Sequence, residues 1–101
     1  MMQSTWDVQD QQSHPPEFYE EHFRKASGLV QPLREITPDS GAYQNEADIY
    51  EPDHISSFWG QKNYDRLLKI KKEVDPNNLI TCHNCVGAEP DDSRLRCYPQ
   101  L

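Results

Sequence analysis

The run from Gln61 to Val74 constrains this chain more than any other stretch. Tyr64, Leu67, Leu68, Lys71 and Val74 recur at helical spacing along one side, with the Lys71 stem adding methylene surface to that face. Asp75-Pro76 stops the run, because the residue before a proline is driven out of the helical region. The spacing therefore predicts a helix over 61–74. A one-sided helix needs something to cover its apolar face. Little is available: hydrophobic residues make up 35% of 101 residues, against a usual fraction of about 45–50%. Mean hydropathy is -0.96. So short and polar a chain buries a thin core. That is a first sign of a fold that borrows a partner surface.

Upstream, residues 1–14 are polar and glutamine-rich, with Trp6 the one large apolar group, and are expected to be irregular. Pro15 and Pro16 suit a helix's first turn. Phe18, Tyr19, His22, Phe23 and Ala26 then form one apolar face, with Glu17, Glu20 and Glu21 toward the positive end. Gly28 and Pro32 predict a kink or a fresh start, since Pro32 clashes with the carbonyl of Gly28. Thr37-Pro-Asp-Ser-Gly41 reads as a turn and Ala42 to Ala47 as a short extended segment. Asp53 is a candidate N-cap for a helical turn over Ile55 to Trp59, ending near Gly60. Leu79 and Ile80 suggest a second short strand or a buried turn, and the chain from Gly87 reads as a loose tail. The expected class is α+β: mostly helical, with two or more helices and one or two short strands. The expected segments are 1–36 (irregular arm and helix), 37–87 (the organised module) and 88–101 (the tail).

Net charge is -7, with 17 acidic and 10 basic residues. That argues against autonomous nucleic-acid binding, which needs clustered Lys and Arg. Lys69, Lys71 and Lys72 are followed by Glu73 and Asp75, which fits a solvated helix face. No apolar run approaches the ~18 residues of a membrane span, and residues 1–7 hold no signal-peptide core. The compartment is therefore left open. Neither GxGxxG nor GxxxxGK[ST] occurs, so no phosphate loop is recognisable.

Cys82-His-Asn-Cys85 has the spacing of a zinc or redox pair. Cys97 and His83 complete four ligands on paper, but His83 sits poorly between the cysteines and no second paired motif follows. No metal ligand set is assigned. A thioredoxin-type site is disfavoured, because no helix former follows the second cysteine. A structural disulfide and free thiols both stay open for Cys82, Cys85 and Cys97.

Tyr43, Asn45 and Glu46 are the remaining candidates. An asparagine amide both donates and accepts, so it can pair with an amide-like edge such as a flavin pyrimidine. A glutamate can take a proton when its surroundings raise its pKa. On a regular strand Tyr43 and Asn45 would share one face and Glu46 would point to the other. Taken alone, a surface turn beside a strand explains these residues as well.

Their context carries a resemblance. Tyr43-Gln-Asn45-Glu46, Phe58-Trp59-Gly60, Asn63-Tyr64-Asp-Arg-Leu67 and Asp75-Pro76-Asn77-Asn78 follow one another in a set order. This set resembles the C-terminal module of berberine bridge enzyme-like, FAD-linked oxidoreductases, strongly over residues 37–87 and weakly upstream. Glu46 and the Cys-x-x-Cys-Val-Gly ending are closer to fungal members. The resemblance implies the end of a larger flavoenzyme, a segment that completes the flavin and substrate pocket where a hydride passes from substrate to FAD. It carries over Asn45 as a flavin-side contact and Tyr43 as a pocket residue. Some members place a catalytic tyrosine directly after the asparagine, where this chain has Glu46, the candidate base. Tyr64, Leu67, Asp75, Pro76 and Asn78 match the framework.

The expected partners are an FAD-binding domain, in cis or from a missing upstream segment, and a small-molecule substrate; neither nucleic acid nor membrane is expected. Residues 1–36 offer no substitute for the FAD-binding domain, so the chain is expected to be a fragment, inactive alone. Two alternatives stand beside this reading. One is a small acidic interaction or regulatory protein with a vestigial flavoenzyme tail. The other is a zinc-stabilised module built on Cys82, Cys85 and Cys97.

Overall fold

Pro15 and Pro16 open helix α1 (Pro16–Ile36) in this computed structural model, which describes residues 14–96, 98, 99 and 101. Residues 1–13 of the expected irregular arm, and Cys97, lie outside the described residues. Pro16 stands at the N-terminus, where its missing N–H costs no intrahelical bond. His14 stacks on Phe18, with ring centroids 3.9 Å apart, and His22 Nδ1 donates to the Phe18 carbonyl at 2.8 Å.

The fresh helix start expected at Gly28 does not occur. α1 runs 21 residues with Pro32 inside it. Gly28 and Pro32 are both exposed, and nothing lies within 4 Å of the place a Gly28 side chain would occupy. On a solvated face the carbonyl that lost its partner can turn to water, so the helix passes through. Thr37 closes it, with its N–H and its Oγ1 both donating to the Leu33 carbonyl, at 3.1 and 2.7 Å.

The described residues fall into two compact units. One holds α1 and Tyr98, whose ring meets Phe23 edge-on at 6.4 Å. The other begins at Ser40 and holds α2 (His54–Phe58), α3 (Gln61–Val74) and a 3-10 turn at Ser93–Leu95. α3 has the bounds its periodicity predicts. α2 starts one residue before the expected turn, and Asp53 precedes it without a side-chain cap. Gly60 (φ 71°) joins the two helices, its N–H donating to the carbonyls of Ile55 and Ser56. Only a residue tolerant of positive φ suits that corner. Phe58, Trp59 and Tyr64 gather there, with centroids 5.3 Å and 5.7 Å apart.

The α+β expectation is corrected: the described residues contain no strand. Ala42 to Ala47 is a turn. The Glu46 N–H donates to the Tyr43 carbonyl at 3.0 Å, closing a four-residue loop where the sequence predicts an extended segment. Leu79 and Ile80 also pair with no neighbouring strand; their N–H groups donate to the Asp75 carboxylate at 2.8 and 2.9 Å. A strand needs a ladder partner. These segments satisfy their polar groups locally.

No side chain among the described residues is fully buried. The apolar surface of α3 divides. Tyr64, Leu68 and Lys71 are partly covered by the loop around Gly87, whereas Leu67, Ile70 and Val74 stay exposed, Val74 at 79%. No helix among the described residues is long and apolar enough to cross a membrane.

Candidate functional site

The Tyr43–Glu46 turn is held at both ends and from behind. At its start, the Ala42 N–H donates to the Ser57 carbonyl of α2 at 2.8 Å. Gly41 makes that approach possible, because a side chain there would stand 2.9 Å from the same carbonyl oxygen. After the turn, Asp48 folds the chain back. Its Oδ1 accepts from the Tyr50 N–H at 3.0 Å and its carbonyl from the Glu51 N–H at 3.1 Å. Glu51 in turn accepts from the Ser57 hydroxyl at 2.8 Å.

From behind, the turn rests on the loop Cys82–Ala88. Cys82 and Cys85 form a disulfide, with Cα atoms 5.2 Å apart. Gln44 Nε2 donates to Cys85 Sγ at 3.4 Å. His83 Nε2 and Asn84 Nδ2 both donate to the Ile49 carbonyl, at 2.8 and 2.9 Å, using both of its lone pairs. Asn84 makes this reach with a positive φ of 57°, which asparagine tolerates better than most residues. The loop is fixed to α3 by the Gly87 N–H, which donates to the Tyr64 hydroxyl at 3.3 Å, and to the turn that follows α3 by Asn78 Nδ2, which donates to the Gly87 carbonyl at 3.3 Å. A chain of direct contacts thus runs from α3 through the disulfide loop to the turn.

Tyr43 and Asn45 come together, since Asn45 Nδ2 donates to the Tyr43 hydroxyl at 3.0 Å. Both are exposed, Tyr43 at 67%. Glu46 is exposed on the same turn. The strand argument that set Asn45 and Glu46 on opposite faces no longer applies, because a turn does not alternate. The bond to Tyr43 fixes the Asn45 amide while its carbonyl oxygen accepts nothing from the described residues. An oriented, outward-facing amide suits the edge of a planar ring bearing N–H and C=O groups. The fit covers such an edge alone; no phosphate cradle is recognisable in the sequence.

The disulfide takes two of the three thiolates that the zinc-stabilised alternative requires. Among the described residues no group of three His, Cys, Asp or Glu is placed to hold a metal. His83, a fourth zinc ligand only on paper, instead holds the Ile49 carbonyl just beyond the turn.

Asp75 organises the stretch leading into the loop. Lys71 Nζ lies 2.5 Å from its Oδ2 and also donates to the Ile80 carbonyl. The Lys71 hydrogen bond, followed by the Leu79 and Ile80 N–H groups, lowers the Asp75 pKa to about 2. In the C-terminal stretch, hydrogen bonds from the Arg94 side chain and N–H hold the Asp92 carboxyl below its ordinary range.

Tyr43, Asn45 and Glu46 stand out in the sequence, whereas the residues that support them, Gln44, Ile49, Ser57, His83 and Asn84, do not. The paired cysteines were a local clue to the supporting loop. Its contacts with the turn lie 34 to 41 residues away in sequence, where no periodicity reports them.

Residues 42–86 match the family model described as Berberine and berberine like. The chain is 53% identical over 54 residues to an uncharacterized FAD-linked oxidoreductase of Arthroderma benhamiae, an alignment covering 54% of this chain and 9% of that protein. It is 36% identical over 85 residues to FAD-linked oxidoreductase OXR2 of Pyricularia oryzae, covering 77% of this chain and 15% of the relative. It is 45% identical over 62 residues to FAD-linked oxidoreductase ffsJ of Aspergillus flavipes, covering 61% of this chain and 10% of the relative. The chain therefore spans between 9% and 15% of these relatives' length. No solved structure matches.

Proposed function

We propose, for a chain whose residues 42–86 belong to the berberine and berberine-like family, that it is the C-terminal module of an FAD-dependent oxidoreductase. It completes the flavin and substrate pocket and is inactive by itself. When bound, FAD supplies the hydride acceptor, and the protein supplies position. Asn45 would face the ring edge, with Tyr43 holding its amide. Glu46 would take the substrate proton. It is solvent-exposed here, so the exclusion of water around it must come from a covering partner. That partner is an FAD-binding domain, in cis or from a separate segment, with a small-molecule substrate held between.

The family match over the anchored turn carries this reading, and the exposed Leu67, Ile70 and Val74 support it. The same stripe also suits the alternative of a small acidic interaction protein. Mixing the purified chain with FAD separates the claims: no retained flavin and no oxidase turnover are expected. Stoichiometric flavin retention would overturn the claim of inactivity. A chimera carrying residues 42–86 in place of the matching segment of the Pyricularia relative tests the roles. Asn45→Ala should weaken flavin retention about tenfold, one charge-neutral hydrogen bond's share. Glu46→Gln should lower turnover about 10²–10⁴-fold with flavin retained. Full turnover in the glutamine variant removes Glu46 from the mechanism.

A further inference from the structure

We infer that the Cys82–Cys85 disulfide is a thiol–disulfide exchange site for dithiol reductants, and that its redox state sets how firmly the Tyr43–Glu51 segment is held. The inference rests on the proposed role of that segment for its functional meaning, and on the structure for its mechanics. The two sulfurs are unequal. Cys82 is exposed, whereas Cys85 is half-buried and receives the Gln44 Nε2 hydrogen bond at 3.4 Å. An incoming thiolate therefore reaches Cys82 Sγ, and Cys85 leaves as a thiolate that the Gln44 amide stabilises. The second thiol of the reductant then displaces Cys82 from the mixed disulfide. The dithiol loses two electrons and becomes a disulfide, and its two protons end on Cys82 and Cys85.

The consequence is local. The ring closed by residues 82 and 85 is short, so it constrains the unfolded chain weakly. What it holds in place is the arrangement of His83 and Asn84, whose side chains converge on the Ile49 carbonyl, with Asn84 at a φ of 57°. Opening the ring frees Asn84 to leave that conformation, and Ile49 and Gln44 lose their shared support. α3 keeps its own intrahelical bonds, so loosening should stop at the turn.

The test is amide hydrogen exchange on the full chain, oxidised and after dithiothreitol, with alkylation mass spectrometry reporting the state of Cys82 and Cys85. Reduction should speed exchange of the Glu46 and Glu51 N–H groups about tenfold, the loss of roughly one hydrogen bond's protection, and leave Ile70 to Val74 unchanged. The Cys82→Ser, Cys85→Ser double variant should reproduce the reduced pattern without reductant. Asn84→Gly, which keeps the positive φ and removes the bond to Ile49, should speed exchange with the disulfide intact. Three results overturn the inference: unchanged exchange at Glu46 and Glu51 on reduction, no protection there in the oxidised chain, or equal loosening of α3. No flavin enters this measurement, so its failure stays separate from a failure of the flavin assignment.

Discussion

α1 and α3 begin from the same kind of sequence, an amphipathic helical run, and end with different surroundings. α1 is the longer helix, yet Leu29, Leu33 and Ile36 along its second half are exposed, Ile36 at 75%. α3 is shorter and more polar, yet its Tyr64–Leu68–Lys71 side carries a loop fixed by a hydrogen bond to Tyr64 and by contact with Leu68. Length and apolar periodicity set where each helix forms. Which face is covered depends on what the connecting segments can reach. Here a polar loop does the covering, through the Gly87 N–H bonded to the Tyr64 hydroxyl and the close approach of Gly87 to Leu68 and Lys71.

The largest expected effect lies in α1. Pro32 removes one intrahelical bond and crowds the preceding turn, a penalty of about 3 kcal/mol against alanine in a helix interior. Pro32→Ala should therefore stabilise α1 by up to about that amount. It should slow amide exchange over residues 30–36 and leave α3 untouched. If exchange in α1 does not slow, the helix does not pass through Pro32 as described, and the contrast with α3 fails at its first point.

Much of this contrast was readable in advance. The Pro15-Pro16 start, the Gly60 boundary and the Asp75-Pro76 stop are signals a few residues long, and the start of α1 and both ends of α3 lie at or within a residue of them. The extended segment expected over Ala42 to Ala47 rests on its place after the Thr37–Gly41 turn signal, and a second turn fits that place as well as a strand does. The hydrogen bond from Glu46 to Tyr43 decides between them. Continuity through Gly28 was missed because the proline rule assumes a carbonyl with nowhere to turn, and here the face is solvated. For the candidate site, the residue types at 43, 45 and 46 were legible. The pairing of Cys82 with Cys85 and the contact of Gln44 with Cys85 were not, because each depends on the path of the chain between them.

A second, smaller effect sharpens the comparison from the α3 side. Gly87 has a φ of 77°, and a Cβ there would meet Leu68 Cδ1 at 3.3 Å. Gly87→Val combines a left-handed penalty of about 1–2 kcal/mol with a contact the loop must yield to. It should lower the urea midpoint of the second unit and detach the Gly87 N–H from Tyr64. Gly28 in α1 has open space around it, so Gly28→Ala should move the other way, raising helix stability by about 0.5–1 kcal/mol. Equal responses at the two glycines would mean that the loop does not cover α3.

The smallest and most local effect is on pH. Asp75 titrates from an ordinary value of 3.8 down to about 2, chiefly through the Lys71 hydrogen bond and then the Leu79 and Ile80 N–H groups. A depressed carboxylate pKa means that the folded chain favours the ionised form. The carboxylate's contribution is thus complete above the unfolded value, near pH 4, and is lost as pH falls through about 2. The side chain is in contact with solvent, so the effect belongs to the 75–80 corner. Amide resonances of Leu79 and Ile80 should titrate together with a midpoint near 2, and Asp75→Asn should abolish that titration. A midpoint at the ordinary 3.8 would mean that Lys71 and the two N–H groups do not hold the carboxylate. α3 would then lose the polar clamp that turns its chain back toward the disulfide loop, the feature that separates its surroundings from those of α1.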